Sequence, residues 1–244
     1  GVMAGLVVSL ANGERFDKPG EKIDDATELK LKGEKLKYVS RGGLKLEKAL
    51  QVFGLSVADR VALDIGASTG GFTDVMLQNG AKLVYAVDVG TNQLAWKLRQ
   101  DERVINMEKQ NIRTVTAEQL GELVDFISID VAFISLDKVL PVATTLLKNT
   151  GSLVALIKPQ FEAGKEKVGK GGIVRERAVH EEVLSRILQV AYDCKLYLHG
   201  LTFSPIKGTE GNIEFLGYFT KSKEGALSIT DELITAVVDE AHTL

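Results

Sequence analysis

The chain has 244 residues, 45% of them apolar, enough for one large α/β domain plus a small appendage and too apolar for global disorder. A formal net charge of −3 argues against a protein that coats nucleic acid over its whole surface. A single cysteine, Cys194, excludes a disulfide framework, and no apolar run approaches the roughly 20 residues that span a bilayer, so a reducing, cytoplasmic setting without a membrane partner is expected.

Residues 1–36 read as a small β-rich module. The hairpin signal Asn12-Gly13 lies between Leu6-Val7-Val8 and Arg15-Phe16, Lys18-Pro19-Gly20 marks a second turn, and Glu28 to Lys32 alternates. So short a piece holds a poor core unaided, and a plain hairpin cap on the larger domain is the alternative reading. From Lys30 to Lys48 there are seven Lys or Arg against two Glu, a clustering used for phosphate contact and equally found on solvated surfaces. Within it Ser40 is expected to cap a helix carrying Leu44, Leu46, Leu50 and Phe53.

The centre of the chain is Val61 to Thr73, VALDIGASTGGFT. An apolar run ends on Asp64, a glycine turn follows, and apolar spacing resumes at Phe72, which predicts a buried strand, a tight turn and a helix start. Gly66, Gly70 and Gly71 let backbone approach a ligand closely, and helix-start N–H groups offer it donors. A dinucleotide loop would need a glycine where Ser68 stands. The form D-x-G-x-x-x-G-G instead resembles the cofactor loop of S-adenosylmethionine (SAM) methyltransferases.

Beyond the loop, strands and helices alternate. Strands are expected at Leu83–Asp88, Val104–Asn106, Asp125–Asp130, Ser152–Lys158, Leu196–Phe203 and Ile213–Phe219. Helices are expected at Asn92–Gln100, Leu136–Leu147 with a kink at Pro141, Arg175–Lys195 and Ile229–Thr243. This alternation means an α/β fold, a mostly parallel sheet covered on both faces. Asp64, Asp88, Asp130 and Lys158 each end a strand, and ligands of open α/β sheets bind outside those carboxyl ends. One acid in such a place is an ordinary turn-former; four charged ends point to a site. Asp88, about 15 to 20 residues past the glycine loop, suits a ribose-hydroxyl acceptor.

These positions resemble the FtsJ-type methyltransferases, which methylate ribose 2′-hydroxyls of RNA and carry a Lys-Asp-Lys-Glu tetrad on a Rossmann-like SAM-binding fold. Ser40-Arg41-Gly-Gly-Leu-Lys45-Leu46 matches the context of the first lysine, Asp130 and Lys158 match the strand ends, and Glu214 in Gly211-Asn-Ile-Glu214-Phe matches the last member. In that fold the last strand is antiparallel, which would bring Glu214 to the same rim. The longer motifs Y-V-S-R-G-G-L-K-L, D-I-G-A-S-T-G-G-F-T, I-D-V-A-F-I-S-L and I-K-P-Q-F-E-A-G resemble the haemolysin-A-type (TlyA) rRNA methyltransferase family. The pattern M-A-G-L-V…V-S…N-G-E-R…K-P-G of residues 1–36 resembles the C-terminal part of an alpha-L RNA-binding domain, leaving 37–244 as the methyltransferase domain.

The resemblance implies SAM as cofactor and ribosomal RNA or ribosomal subunits as partner, with cytidine as the target nucleoside. It implies Lys158 as base, Lys45 as the neighbouring cation that also orients the hydroxyl, and Asp130 and Glu214 as holders of the lysines. A ribose hydroxyl is a poor nucleophile at neutral pH, and a lysine acts as base only when neutral, so burial or a nearby cation is required. For the cofactor, Gly66, Ser68, Gly70 and Gly71 are expected near the methionine end, Asp64 is counted among the cofactor-binding residues, and Asp130 is expected to reach the methionine amino group. Asp88 is expected at the ribose, and Asn111 or Gln110 at the adenine.

Gly164 to Arg177 holds five Lys or Arg against two Glu and reads as a basic lip for RNA or as an ordinary mobile loop. No metal site is expected: His180, His199 and His242 are scattered, and His180 is assigned to a solvated helix face. Cys194 and Trp96 are assigned to packing. Two other function classes compete, a membrane-active haemolysin, as the family's name implies, and a ribosome-docking protein without catalysis. The acidic last helix and the absence of an apolar span oppose the first, and the filled tetrad opposes the second.

Overall fold

The computed structural model describes residues 7–9, 15–16, 29–31 and 36–244. The chain divides into two compact units, 1–37 and 38–244. In the first, β1 (Val7–Ser9) pairs antiparallel with β2 (Arg15–Phe16) and β3 (Leu29–Leu31) in the order β2-β1-β3. The expected turns at Asn12-Gly13 and Lys18-Pro19-Gly20 lie outside the described residues.

The second unit is built on seven strands: β4 (Val61–Ile65), β5 (Leu83–Val87), β6 (Val104–Met107), β7 (Val124–Ile129), β8 (Leu147–Ile157), β9 (Tyr197–Phe203) and β10 (Phe215–Thr220). They form one sheet in the order β6-β5-β4-β7-β8-β10-β9. Strands β4 to β8 pair in parallel, and β10 runs antiparallel to both β8 and β9. All five residues of β4 are buried, as a central strand covered on both faces requires.

Alternate residues feed two cores. Leu63, Ile65 and Ile127 join one with α5 (Leu136–Leu146), α7 (Arg177–Asp193) and α8 (Asp231–Ala241), through Val139, Leu184 and Val238. Ala62 and Phe126 join the other with α1 (Gly43–Phe53), α2 (Gly71–Gln78) and α3 (Trp96–Arg99), through Leu46, Met76 and Leu98. Two short helices, α4 (Ala117–Leu120) and α6 (Pro159–Glu162), come after β6 and β8.

Several elements depart from the sequence expectation. Helix α1 begins after Gly42 with no side-chain cap, so Ser40 does not cap it. Helix α3 starts only at Trp96, because Asn92 has φ of 55° and Ala95 is extended at ψ of 142°. Trp96 is 71% exposed rather than packed. Strand β8 begins at Leu147, five residues before the expected Ser152, across a register shift just past Val124. Helix α5 runs through Pro141.

Candidate active site

The parallel strands end together because their carboxyl-side residues stay in the ladder. Gly66 and Ala67 donate to the Val87 carbonyl, Asp88 donates to Met107, and Asp130 donates to Ile65. One rim therefore collects Gly66, Asp88 and Asp130. The antiparallel register adds the rest: Phe215 lies opposite Ile157, so Glu214 and Lys158, the next residues along, are neighbours on that rim.

Between these strand ends lies a cavity of about 530 Å³, lined among others by Gly66, Ser68, Asp88, Asn111, Asp130 and Lys158. Val87, Val89, Ile112 and Ile134 supply its apolar walls. A smaller cavity of about 170 Å³ adjoins it at Ser40, Gly42, Gly71 and Phe72, and shares Gly66, Ser68 and Asp130 with it. At Gly66, with φ of 83°, a Cβ would run into the Asp130 carbonyl oxygen. Only glycine allows that approach.

The three acids behave differently. Asp88 is held by two backbone donors, Ser68 N–H at 2.7 Å to Oδ2 and Gly90 N–H at 2.8 Å to Oδ1, and it faces the cavity. Asp64 is fully buried beneath the glycine loop and stands outside the residues lining either cavity. It accepts from the Thr73 hydroxyl at 2.7 Å and lies 3.5 Å from the Ser128 hydroxyl. Burial pushes its carboxyl up to about 7; the Thr73 hydroxyl pulls it down, while the charges of Asp130 and Asp88 push it up. Asp130 pairs with Lys158, Oδ1 to Nζ at 2.5 Å.

Lys45 is buried on α1 and pairs with Glu214, Nζ to Oε1 at 2.6 Å. The four charged residues thus form two ion pairs, each acid holding one lysine. Gln160 donates from Nε2 to Glu214 Oε2 at 2.9 Å. At the cavity mouth Phe133 has φ of 62°, is 90% exposed, and packs at 4.8 Å between ring centroids against Phe161. Asn111 lines the cavity while its Oδ1 accepts from Arg113 N–H, and Gln110 lies beside it.

The sequence motifs left Phe133 and Gln160 without a role, although both sit in them, in I-D-V-A-F-I-S-L and I-K-P-Q-F-E-A-G. An aromatic three residues past a strand-terminal acid, where apolar burial should already have ended, was the available signal. The largely exposed 164–177 segment is anchored at Val174. Val174 is buried, its N–H donates to Asn212 Oδ1, and its carbonyl meets His180 Nε2 at 3.0 Å. His180 is fully buried against His242 and not on a solvated face, because residue 180 falls on the α7 stripe of Val179, Val183 and Leu184. Cys194 is half-buried and packs on the core. Among the described residues no three His, Cys, Asp or Glu gather as a metal would need.

SAM fits these residues. The apolar walls suit an adenine, the doubly held Asp88 carboxylate suits a ribose diol, and Asp130 suits an ammonium group. A glycine-only backbone closes the cradle.

Residues 38–221 match the family of FtsJ-like methyltransferases. Among curated proteins, "Putative rRNA methyltransferase YqxC" of Bacillus subtilis is 56% identical, over 99% of this chain and 86% of that protein. A 16S/23S rRNA (cytidine-2'-O)-methyltransferase TlyA of Mycobacterium tuberculosis is 41% identical, over 86% of this chain and 79% of its own length. A solved structure titled "Putative hemolysin from Streptococcus thermophilus" superposes with a TM-score of 0.83 at 61% identity, covering 100% of this chain and 88% of that one. With fold, cofactor cradle and sequence in agreement, the chain belongs to the FtsJ-like, SAM-dependent methyltransferases, within the group that includes TlyA.

Proposed function

We propose that the protein transfers a methyl group from SAM to a ribose 2′-hydroxyl of ribosomal RNA, with cytidine as the target nucleoside. The observation that carries this reading is the pairing of Lys158 with Asp130 at the wall of the cofactor cavity and of Lys45 with Glu214 at the adjoining strand end. The reaction named for the Mycobacterium tuberculosis relative supports the substrate class.

When bound, SAM supplies an electrophilic methyl group on a sulfonium centre. Lys158, once it has released its own ammonium proton to solvent, is the base that takes the 2′-hydroxyl proton, and Asp130 fixes its Nζ at the cavity wall. Lys45 provides the second cation and orients the hydroxyl, and Glu214 keeps it from turning to solvent. Asp88 holds the cofactor ribose, and Gly66, Ser68 and Gly71 let the methionine end lie against backbone, while Gly70, expected beside them, lines neither cavity and faces Leu94 and Leu98. Asp64 acts from below, bracing the loop through Thr73 rather than touching the ligand.

RNA contact is supported by exposed charge and one exposed ring. Lys167 and Arg177 are taken up by Glu182 and Asp239, but Lys165, Lys170 and Arg175 remain exposed, as does Arg41 ahead of α1. Phe133 offers an open ring at the cavity mouth, the kind of surface an unstacked base covers. Residues 1–36 are read as a further RNA-binding module.

The test is transfer of labelled methyl from SAM to purified ribosomal subunits, with Lys158→Ala as control. Alkali-resistant label in rRNA that disappears in the variant is the expected result. SAM binding without transfer would move the substrate elsewhere, and no SAM binding would sink the reading.

A further inference from the structure

We infer that Gln160 is a positioning residue of this site: its amide holds the Glu214 carboxylate in the one orientation that grips Lys45. The inference rests on the reading of the two ion pairs as a methyl-transfer centre.

Glu214 is 1% exposed and accepts from two side chains, Lys45 Nζ on Oε1 at 2.6 Å and Gln160 Nε2 on Oε2 at 2.9 Å. A carboxylate facing an amide in this way takes a hydrogen from it, so the NH2 of Gln160 must point at Glu214 and the amide orientation is settled. That choice leaves Gln160 Oε1 buried with no partner among the described groups. Native folds rarely strand a buried acceptor, and an apolar side chain would fill this place without doing so. Packing therefore does not account for an amide at 160. The donor to Glu214 does.

The backbone makes this donor a link between the two pairs. Lys158 pairs with Asp130, and Pro159, at the first position of α6, is buried with its φ restricted by its ring. Gln160 is thus set rigidly two residues beyond Lys158 while its side chain reaches the partner of Lys45. On the other side Gly208 closes the pocket, since a Cβ there would run into the Glu214 carboxylate. Among the described residues, the Gln160 amide and the Lys45 ammonium are the side chains that donate to the Glu214 carboxylate.

Two substitutions test this in the full chain with ribosomal subunits as acceptor. Gln160→Met keeps the volume and removes the amide; kcat should fall about tenfold or more, with KM for SAM unchanged. In Gln160→Glu the new carboxyl can donate to Glu214 only while protonated, and two facing carboxyls resist a second charge. Its rate should approach wild type in mild acid and fall as pH rises, moving the optimum to lower pH. Independently of activity, the Glu214 carboxyl-carbon NMR resonance, identified by its absence in Glu214→Gln, should move in Gln160→Met and hold still in Gln189→Met. An unmoved resonance, or a wild-type pH profile in Gln160→Glu, overturns the assignment. If Gln160→Met does not fold, Gln160→Glu still decides it. A wild-type protein that methylates no rRNA would remove the functional reading, and the resonance would still report whether Gln160 holds Glu214.

Discussion

Lys45 and Glu214 meet at 2.6 Å with side chains only 10% and 1% exposed, although most of the sheet lies between them in sequence. A pair so buried is a poor stabiliser, because taking two charges out of water offsets most of their attraction. Breaking it is another matter, since the survivor is left charged and dry. Lys45→Met should cost about 3 kcal/mol or more in urea unfolding and abolish methyl transfer. Adding Glu214→Leu should restore part of the stability, because the Gln160 amide then loses its acceptor, and none of the activity. A double variant whose loss equals the sum of the two single losses would show that the pair does not act as a unit.

How much of this was legible beforehand depends on the kind of signal each feature leaves. The apolar runs at 61–65 and 124–129 are buried on both sides, so strand identity and the rim carrying Asp88, Asp130 and Lys158 could be read directly. Glu214 was reachable only through family resemblance, because its place depends on the antiparallel pairing of Phe215 with Ile157. His180 was misread because charged neighbours at 181 and 182 suggested a wet face, while its partner His242 sits 62 residues away in sequence. Ser40 failed as a cap for a local reason: with Gly42 and Gly43 after it, the chain turns once more before α1 begins, and the seryl Oγ ends beside Gly71. Gln160 was invisible because a single amide carries no pattern.

Asp64 should make the protein lose stability as pH rises through neutrality. Its carboxyl is pushed up to about 7 in the folded chain, while an unfolded aspartate titrates near 4, so the native state binds the proton more tightly. The stabilisation from that proton is complete below about 4 and is lost progressively as pH climbs to about 7, some 4 kcal/mol in order of magnitude. Asp64→Asn keeps an acceptor for the Thr73 hydroxyl and carries no charge. Its stability relative to the wild type should therefore improve between pH 5 and pH 8, read by urea unfolding at both. An unchanged difference would mean that Asp64 titrates as an ordinary surface acid.

His180 should act in the opposite direction, at the acid side. Its Nε2 meets the Val174 carbonyl at 3.0 Å, which only accepts, so Nε2 carries the hydrogen and Nδ1 must accept from His242 Nε2 at 2.8 Å. A second proton on His180 has nowhere to go. Burial holds its pKa down at about 4, with the Val174 carbonyl raising it and His242 lowering it further; His242 is itself lowered by burial, by Arg177 and by Lys207, against Asp239. The unfolded chain takes up protons near 6.5 and the native chain does not, so stability falls as pH drops from about 6.5 to about 4. His180 alone contributes on the order of 3 kcal/mol over that window. The slope should flatten in His180→Gln, whose amide can donate to Val174 and accept from His242 without titrating. Because Val174 also donates to Asn212, acid should first loosen the 164–175 segment, seen as faster amide exchange there than in β7. Equal slopes in wild type and His180→Gln would assign the acid sensitivity to other groups.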